Sequence, residues 1–375
     1  MKMKKISCAA SGKNAVRSQG LLLRKFWHVS SGFWTNRIDK SVISTTITLL
    51  LSIILQLFIQ YRLNFWGRDF FDAFGQRDEA ALQQQALIFL PLAGLSIIVA
   101  VFAIWARMAV QRKWRAWLSQ FIIDLWLKRE PFRQPHFTFG EDRNPEYRLA
   151  EDVRIATDNP VGLLTGFLNA VFGAVIFISI LWNVGGDLTV QILDYTLTVP
   201  KYLVIAVTLY SILLSAAMAL IGRRLVDVIA AKNVAEAQFR SVGSRLREQD
   251  SSSITSEQQR KHLSRLTSAL DEVTGRWRDL AFQFMRTTMV SQGNILLAPV
   301  IAWALCAPKY LIGTMTLGEV AQVTAAFIIV QSALNWLVEN YPGVADCLSS
   351  INRVSSLLIA LEPSDIDESG SDVSS

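Results

Sequence analysis

Residues 144–160 read NPEYRLAEDVRIATDNP and place Glu146, Arg148, Glu151, Asp152, Arg154 and Asp158 in one short stretch. Carboxylates three or four residues from a guanidinium can pair along one helix face, because positions i, i+3 and i+4 are neighbours there. Arg148 stands three residues before Glu151 and four before Asp152, so an intrahelical ion pair is available. The same carboxylates could instead titrate, or make and break a contact that gates a passage. A solvated helix foot and a contact with lipid headgroups are the alternatives these residue types leave open. Directly after this segment the chain reads VGLLTGFLNAVFGAVIFISILW (161–182), 22 residues without an ionisable side chain.

A second group lies further on. Thr324, Gln331, Asn335 and Glu339 are spaced 7, 4 and 4 apart, which puts them on one face of a helix. Polar groups in an apolar helix face a protein interior or a wet cavity, so this stripe either lines a cavity or forms a hydrogen-bonded helix contact. Other chemistry is not encoded at useful spacing. Cys8, Cys306 and Cys347 are too scattered for a disulfide framework or metal site, and His28, His136 and His262 show no ligand spacing. No metal and no cofactor is expected.

The elements that must carry these residues follow from composition. Hydrophobic residues make up 51% of the chain and charged residues 18%, against about 25% charged in soluble domains. A helix needs roughly 20 apolar residues to cross a bilayer. Six windows of that kind occur, at about 42–61, 86–106, 161–182, 202–221, 290–308 and 318–338. The second contains Pro91 and the fifth Pro299 and Pro308, which membrane helices tolerate. This is the pattern of an all-α polytopic membrane protein with six transmembrane helices.

Lys and Arg set the orientation. Residues 1–40 hold nine, 107–160 ten and 223–286 twelve, whereas 62–85 hold three, 183–200 none and 308–317 only Lys309. Basic and poor segments alternate, so both termini and the tips near Thr138 and Ser252 are expected to be cytoplasmic, with Gln76 and Asp187 outside. The net charge of +6 reflects attraction to anionic lipid and is no sign of nucleic acid binding.

The helices should outrun the bilayer. Trp114, Trp117, Leu118, Phe121, Ile122, Leu125 and Trp126 form an i, i+3, i+4, i+7 stripe after the second window. Residues 223–248 continue the fourth window, and Leu263, Leu266, Leu270, Val273, Trp277 and Leu280 lead into the fifth. About 25 extra residues reach on the order of 35–40 Å into the cytoplasm. Breakers mark the tips, PFRQPHFTFGEDRNP (131–145) and DSSSITS (250–256). Within 144–160, Asn144 suits a helix cap and Pro145 the first turn. Residues 21–34, LLLRKFWHVSSGFW, suit a helix along the inner membrane surface. The expected organisation is a disordered basic N-terminus over 1–20, a six-helix transmembrane domain over 21–361 and a disordered acidic tail over 362–375.

FWGRDFFDAFGQRD (65–78), RKWRAWLSQFIIDLWL (112–127), NPEYRLAEDV (144–153) and KYLIGTMTLGEVAQVTAAFIIVQSALNWLVENYPGVAD (309–346) resemble the membrane domain of SbmA/BacA-like transporters. The resemblance runs from Phe26 to Leu361. It implies the ABC transporter type-1 membrane domain, a homodimer in the bacterial inner (plasma) membrane, and transport of modified or antimicrobial peptides by alternating access. It also aligns Glu151 and Asp152 with that family's Glu-Asp-Val motif, as an inner gate or proton site. Many relatives carry a fused ATP-binding domain. Here no G-x-x-x-x-G-K-[ST] phosphate loop is written, and REQDSSSITSEQQRKH (247–262) departs from the coupling hairpin of the ATPase-fused members. The chain is therefore expected not to hydrolyse ATP by itself. The alternatives are a permease half driven by a separate ATP-binding subunit, and a non-transporting remnant.

Overall fold

The computed structural model describes residues 20, 22–35, 40–129, 148–192, 195–247 and 256–361. The expected disordered ends, the cap at Asn144 and Pro145, and most of both expected cytoplasmic tips lie outside the described residues. Eight α-helices are described: α1 (22–35), α2 (Lys40–Gln76), α3 (Glu79–Arg129), α4 (Val153–Gly185), α5 (Tyr202–Arg247), α6 (Ser256–Leu311), α7 (Leu317–Glu339) and α8 (Tyr341–Leu361). A π-helical turn, Arg148–Asp152, leads into α4. Six segments are long and apolar enough to cross a membrane, and they contain the six windows read from the sequence. Pro91, Pro160, Pro299 and Pro308 all lie inside continuous helices.

The helix ends follow local chemistry. α2 stops in a Schellman arrangement: Arg77 takes a positive φ of 58°, its N–H donates to Phe74 O, and Asp78 N–H donates to Ala73 O. Asp78 then caps α3 by accepting from Ala81 N–H at 3.1 Å. α6 ends the same way at Gly313, φ 80°, with Gly313 N–H on Tyr310 O and Thr314 N–H on Lys309 O. Thr316 and Glu319 form a capping box at α7, each side chain accepting from the other's backbone N–H.

The chain divides into two compact units, one running to Val175 and resuming at Glu339, the other Ile176–Val338. In the first, Trp66 Nε1 donates to Gln85 O and its ring lies 4.6 Å from Phe89, joining α2 to α3. The aromatic stripe predicted on α3 is buried at Trp114, Leu118 and Ile122. It receives Phe26 and Phe33 of α1, whose rings lie 6.3 and 6.4 Å from Trp114. Trp27, on the other side of α1, is exposed. α8 buries Ile351, Val354, Leu358 and Leu361 at helical spacing, and Ser355 Oγ donates to Leu22 O.

In the second unit α5 and α6 pair as a long hairpin. In the part beyond the apolar windows, Lys232 Nζ lies 4.6 Å over the Trp277 ring, and Trp277 Nε1 donates to Glu236. At the other end the structure adds a feature not anticipated from the sequence, a two-stranded antiparallel sheet. Strand β1 (Leu188–Ile192) pairs with β2 (Tyr195–Val199), in the register Leu188 with Val199 and Ile192 with Tyr195. Gly186 turns the chain out of α4 with φ 59°. Gly185 just before it lies so close to Leu203 that a Cβ there would stand 2.6 Å from Leu203 Cδ1. Lys309 Nζ donates to Gly185 O and lies 5.5 Å from the Tyr202 ring.

Candidate functional site

The charged segment that precedes α4 is a packed junction of the first unit. A π-turn holds one residue more than an α-turn and re-phases the helix after it. Here it turns Asp152 and Val153 into the interior and leaves Glu151 at the edge. Asp152 is 1% exposed. Its carboxylate is held by Arg353 of α8: Nε stands 2.9 Å from each Oδ, and a terminal nitrogen 2.8 Å from Oδ1. The same guanidinium donates to Ser349 Oγ at 2.6 Å and Ser350 Oγ at 2.9 Å. A buried carboxylate is tolerated when it is paired and hydrogen-bonded in this manner.

Glu151 has a different environment. Arg154 grips it with Nε at 3.1 Å and a terminal nitrogen at 2.6 Å, and its other terminal nitrogen stands 3.9 Å from Asp158. The side chains of Glu151, Arg154 and Asp158 are 36%, 41% and 30% exposed. Gln111 Nε2 donates to Asp158 O, tying this triad to α3. The backbone of Arg148 begins the π-turn, and its side chain lies outside the described residues. The described partners of the two acids are Arg154 and Arg353, and the sequence singled out neither pairing.

Three residues of the α7 stripe, Thr324, Gln331 and Asn335, lie in the second unit, and Glu339 falls in the first. Thr324, Gln331 and Asn335 are buried. Thr324 donates to Val320 O within its own helix. Gln331 accepts from Asn294 of α6, and Asn335 accepts from Ser215 of α5. Glu339, the last residue of α7, is exposed. Arg353, Asn294, Ser215 and Tyr210 are the polar residues that sequence reasoning passed over. A signal existed for two of them: Asn294 is a polar residue in an apolar window, and Arg353 a lone cation in INRVSSLLIAL. Among the described residues no group of three His, Cys, Asp or Glu could hold a metal ion.

Outside the membrane helices, Lys201 N–H donates to Asp187 Oδ1 at 3.1 Å and Lys201 Nζ stands 3.5 Å from it. That backbone bond, with the ammonium charge beside it, holds the Asp187 carboxyl below the ordinary carboxylate range.

Comparison with known proteins fits this architecture. The family described as ABC transporter transmembrane region 2 matches residues 36–311. The chain is similar to the inner membrane ABC transporter ATP-binding protein YddA of Escherichia coli (strain K12), 24% identical over 339 residues, covering 89% of this chain and 60% of that one. It is also similar to ABC transporter D family member 2, chloroplastic, of Arabidopsis thaliana, 24% identical over 339 residues, covering 89% of this chain and 45% of that one. The chain thus spans about half to three fifths of the length of these curated relatives. Six apolar helices and a family match over most of the chain make this a multi-pass membrane protein and a membrane transporter component, and the chain belongs to the ABC transporter transmembrane region 2 family.

Proposed function

We propose that this chain is the membrane-spanning part of a transporter that moves a peptide-like substrate across the bacterial inner membrane by alternating access, as a pair of identical chains with cytoplasmic termini. The observation that carries this reading is the length of α5 and α6, 46 and 56 residues. At 1.5 Å per residue they measure about 70 and 85 Å, more than twice the roughly 30 Å of a hydrocarbon core. Their surplus belongs to the end rich in Lys and Arg, where a transporter of this family meets its energy source. The resemblance of 65–78, 112–127, 144–153 and 309–346 to SbmA/BacA-like transporters supports the cargo class.

In this reading the half-exposed Glu151, Arg154 and Asp158, with Arg148 on the same turn, are the groups that open and close an inner gate. Asp152 anchors α8 beneath them. Of the α7 stripe, Glu339 is offered to the passage, while Thr324, Gln331 and Asn335 serve helix contact.

A second reading is a permease half driven by an ATP-binding partner. It is supported by the name of the Escherichia coli relative, an ATP-binding protein. Uptake of a fluorescent peptide by cells that express the chain tests both. Uptake abolished by a protonophore at constant ATP supports the first. Uptake that survives the protonophore and stops on ATP depletion supports the second. No uptake even in untreated cells would point to a non-transporting remnant.

A further inference from the structure

Within the Ile176–Val338 unit three membrane helices meet through polar side chains on otherwise apolar surfaces. Tyr210 Oη donates to Asn294 Oδ1 at 3.0 Å, and Asn294 Nδ2 donates in turn to Gln331 Oε1 at 3.4 Å. Ser215 Oγ donates to Asn335 Oδ1. Along α5, Tyr202, Tyr210 and Ile221 meet Leu305, Asn294 and Gln283, so α5 and α6 are antiparallel. The links from Tyr210 through Asn294 to Gln331 and from Ser215 to Asn335 advance together, so α5 and α7 run in one direction. Ser211 stands one turn before Ser215, and Gln331 one turn before Asn335. The parallel course brings these four into one seam.

The protein itself does not satisfy this seam. Gln331 Nε2, Asn335 Nδ2 and Ser211 Oγ make no hydrogen bond to any described group, yet their residues are only 3%, 2% and 2% exposed. Leaving such groups unmatched costs their full desolvation penalty, so a partner is called for. The amide oxygens of Asn294, Gln331 and Asn335 each already accept a bond. What is left is chiefly donors, two amide NH2 groups and a hydroxyl. A cation has no place against N–H groups. An anion would satisfy them but would put a bare charge beside Ala326, Phe327 and Val330, all fully buried. Water is neutral, accepts two bonds, and can donate to the second lone pairs of the amide oxygens.

We propose that this seam is an internal hydration site, in which about two water molecules join α5, α6 and α7. The waters accept from Gln331, Asn335 and Ser211. They bond helices through a partner that exchanges neighbours, so the contact between α5 and α7 can be remade when one shifts against the other. The inference concerns the helix contact alone and stands apart from the identity of the cargo.

Phe327 reports on the seam. It is 0% exposed, one turn before Gln331, and its ring lies 6.0 Å from Tyr210. Radiolytic footprinting makes hydroxyl radicals from bound water in place, so a ring with no surface exposure is oxidised only where water lies against it. In the full chain in lipid nanodiscs, Phe327 is expected to be oxidised in the wild type. It should lose that oxidation in Gln331→Leu/Asn335→Leu, with the exposed Trp277 oxidised equally in both. If the double variant does not fold, Gln331→Met, which keeps length and removes the amide, should show the same loss. A wild type without Phe327 oxidation overturns the proposal, and so does oxidation that persists in the apolar variants. A melting temperature that drops when chloride is replaced by gluconate would overturn it in favour of a bound anion.

Discussion

Arg353 holds Asp152 from 201 positions further along the chain, with Nε shared between both carboxylate oxygens and a terminal nitrogen on one of them. The contact ties the π-turn below α4 to α8. Ser349 and Ser350, one turn back on α8, take two more of the guanidinium N–H groups and fix its plane. Compared with a well-packed apolar pair, such a contact adds little net stability, but removing one partner strands the other.

The first prediction rests on that asymmetry. Arg353→Ala leaves a carboxylate buried without its cation and should cost about 2–4 kcal/mol, toward the lower part of the range for buried pairs because Arg353 is 38% exposed. Asp152→Asn keeps shape and strands a half-solvated guanidinium, so it should cost about half as much. Melting temperatures in detergent and limited chymotrypsin cleavage within 341–361, where both variants keep Leu348, Leu357 and Leu358, would rank the two. Equal, small effects would show that α8 is held by its apolar face alone.

A second prediction concerns close packing at the C-terminal end of α4. Gly185→Ala would set a Cβ 2.6 Å from Leu203 Cδ1 and 3.3 Å from Leu203 Cβ, and Leu203 is fully buried. Overpacking of this kind costs about 1–3 kcal/mol. Leu203→Ala should cost less stability in the Gly185→Ala chain than in wild type, measured by thermal unfolding of all four chains. A Gly185→Ala chain as stable as wild type would mean that α5 moves aside freely.

The six spans were legible because the length of an apolar run is a property of contiguous residues. The stripe through Trp114, Leu118 and Ile122 was legible because helical period places those residues together. Arg353 was not, since nothing in INRVSSLL says which of many acids it will meet once α8 packs against the π-turn. Arg148 looked like the partner of Glu151 and Asp152 on spacing alone. Its side chain lies outside the described residues, and the described partners of the two acids are Arg154 and, from another helix, Arg353. The hairpin Leu188–Val199 alternates apolar with polar residues in LTVQI and YTLTV, a period-two signal confined to two runs of five residues in a short connection between spans. Asn294 lies inside the fifth window, and nothing in its spacing says which helices it will join.

A third prediction uses pH. Asp187 has its carboxyl held below the ordinary range by the Lys201 N–H and ammonium. Because the folded value lies below the unfolded one, the tie contributes throughout the range above the unfolded value, and the contribution is lost as pH falls through the depressed folded value. The melting temperature of wild type should therefore exceed that of Asp187→Asn at neutral pH and converge with it in acid. A constant difference across the titration would remove the ion pair as its source.

The last prediction returns to the exposed side of the foot. Glu151 and Arg154 are both more than a third exposed, and a pair of that kind contributes little to stability. Glu151→Gln keeps size and a hydrogen bond to Arg154 but removes the titrating charge. If the pair only decorates a solvated helix foot, the variant should fold, insert and transport like wild type. If it gates the passage, peptide uptake should collapse while melting temperature and oligomeric state stay unchanged. Arg154→Ala separates the roles: a merely structural pair predicts the same effect from either partner, whereas a gate or proton site centred on the carboxylate predicts a milder effect from losing the arginine. Wild-type uptake in both Glu151→Gln and Asp158→Asn would take the foot of α4 out of the transport cycle. Glu339, exposed at the end of α7, would then be the carboxylate to test next.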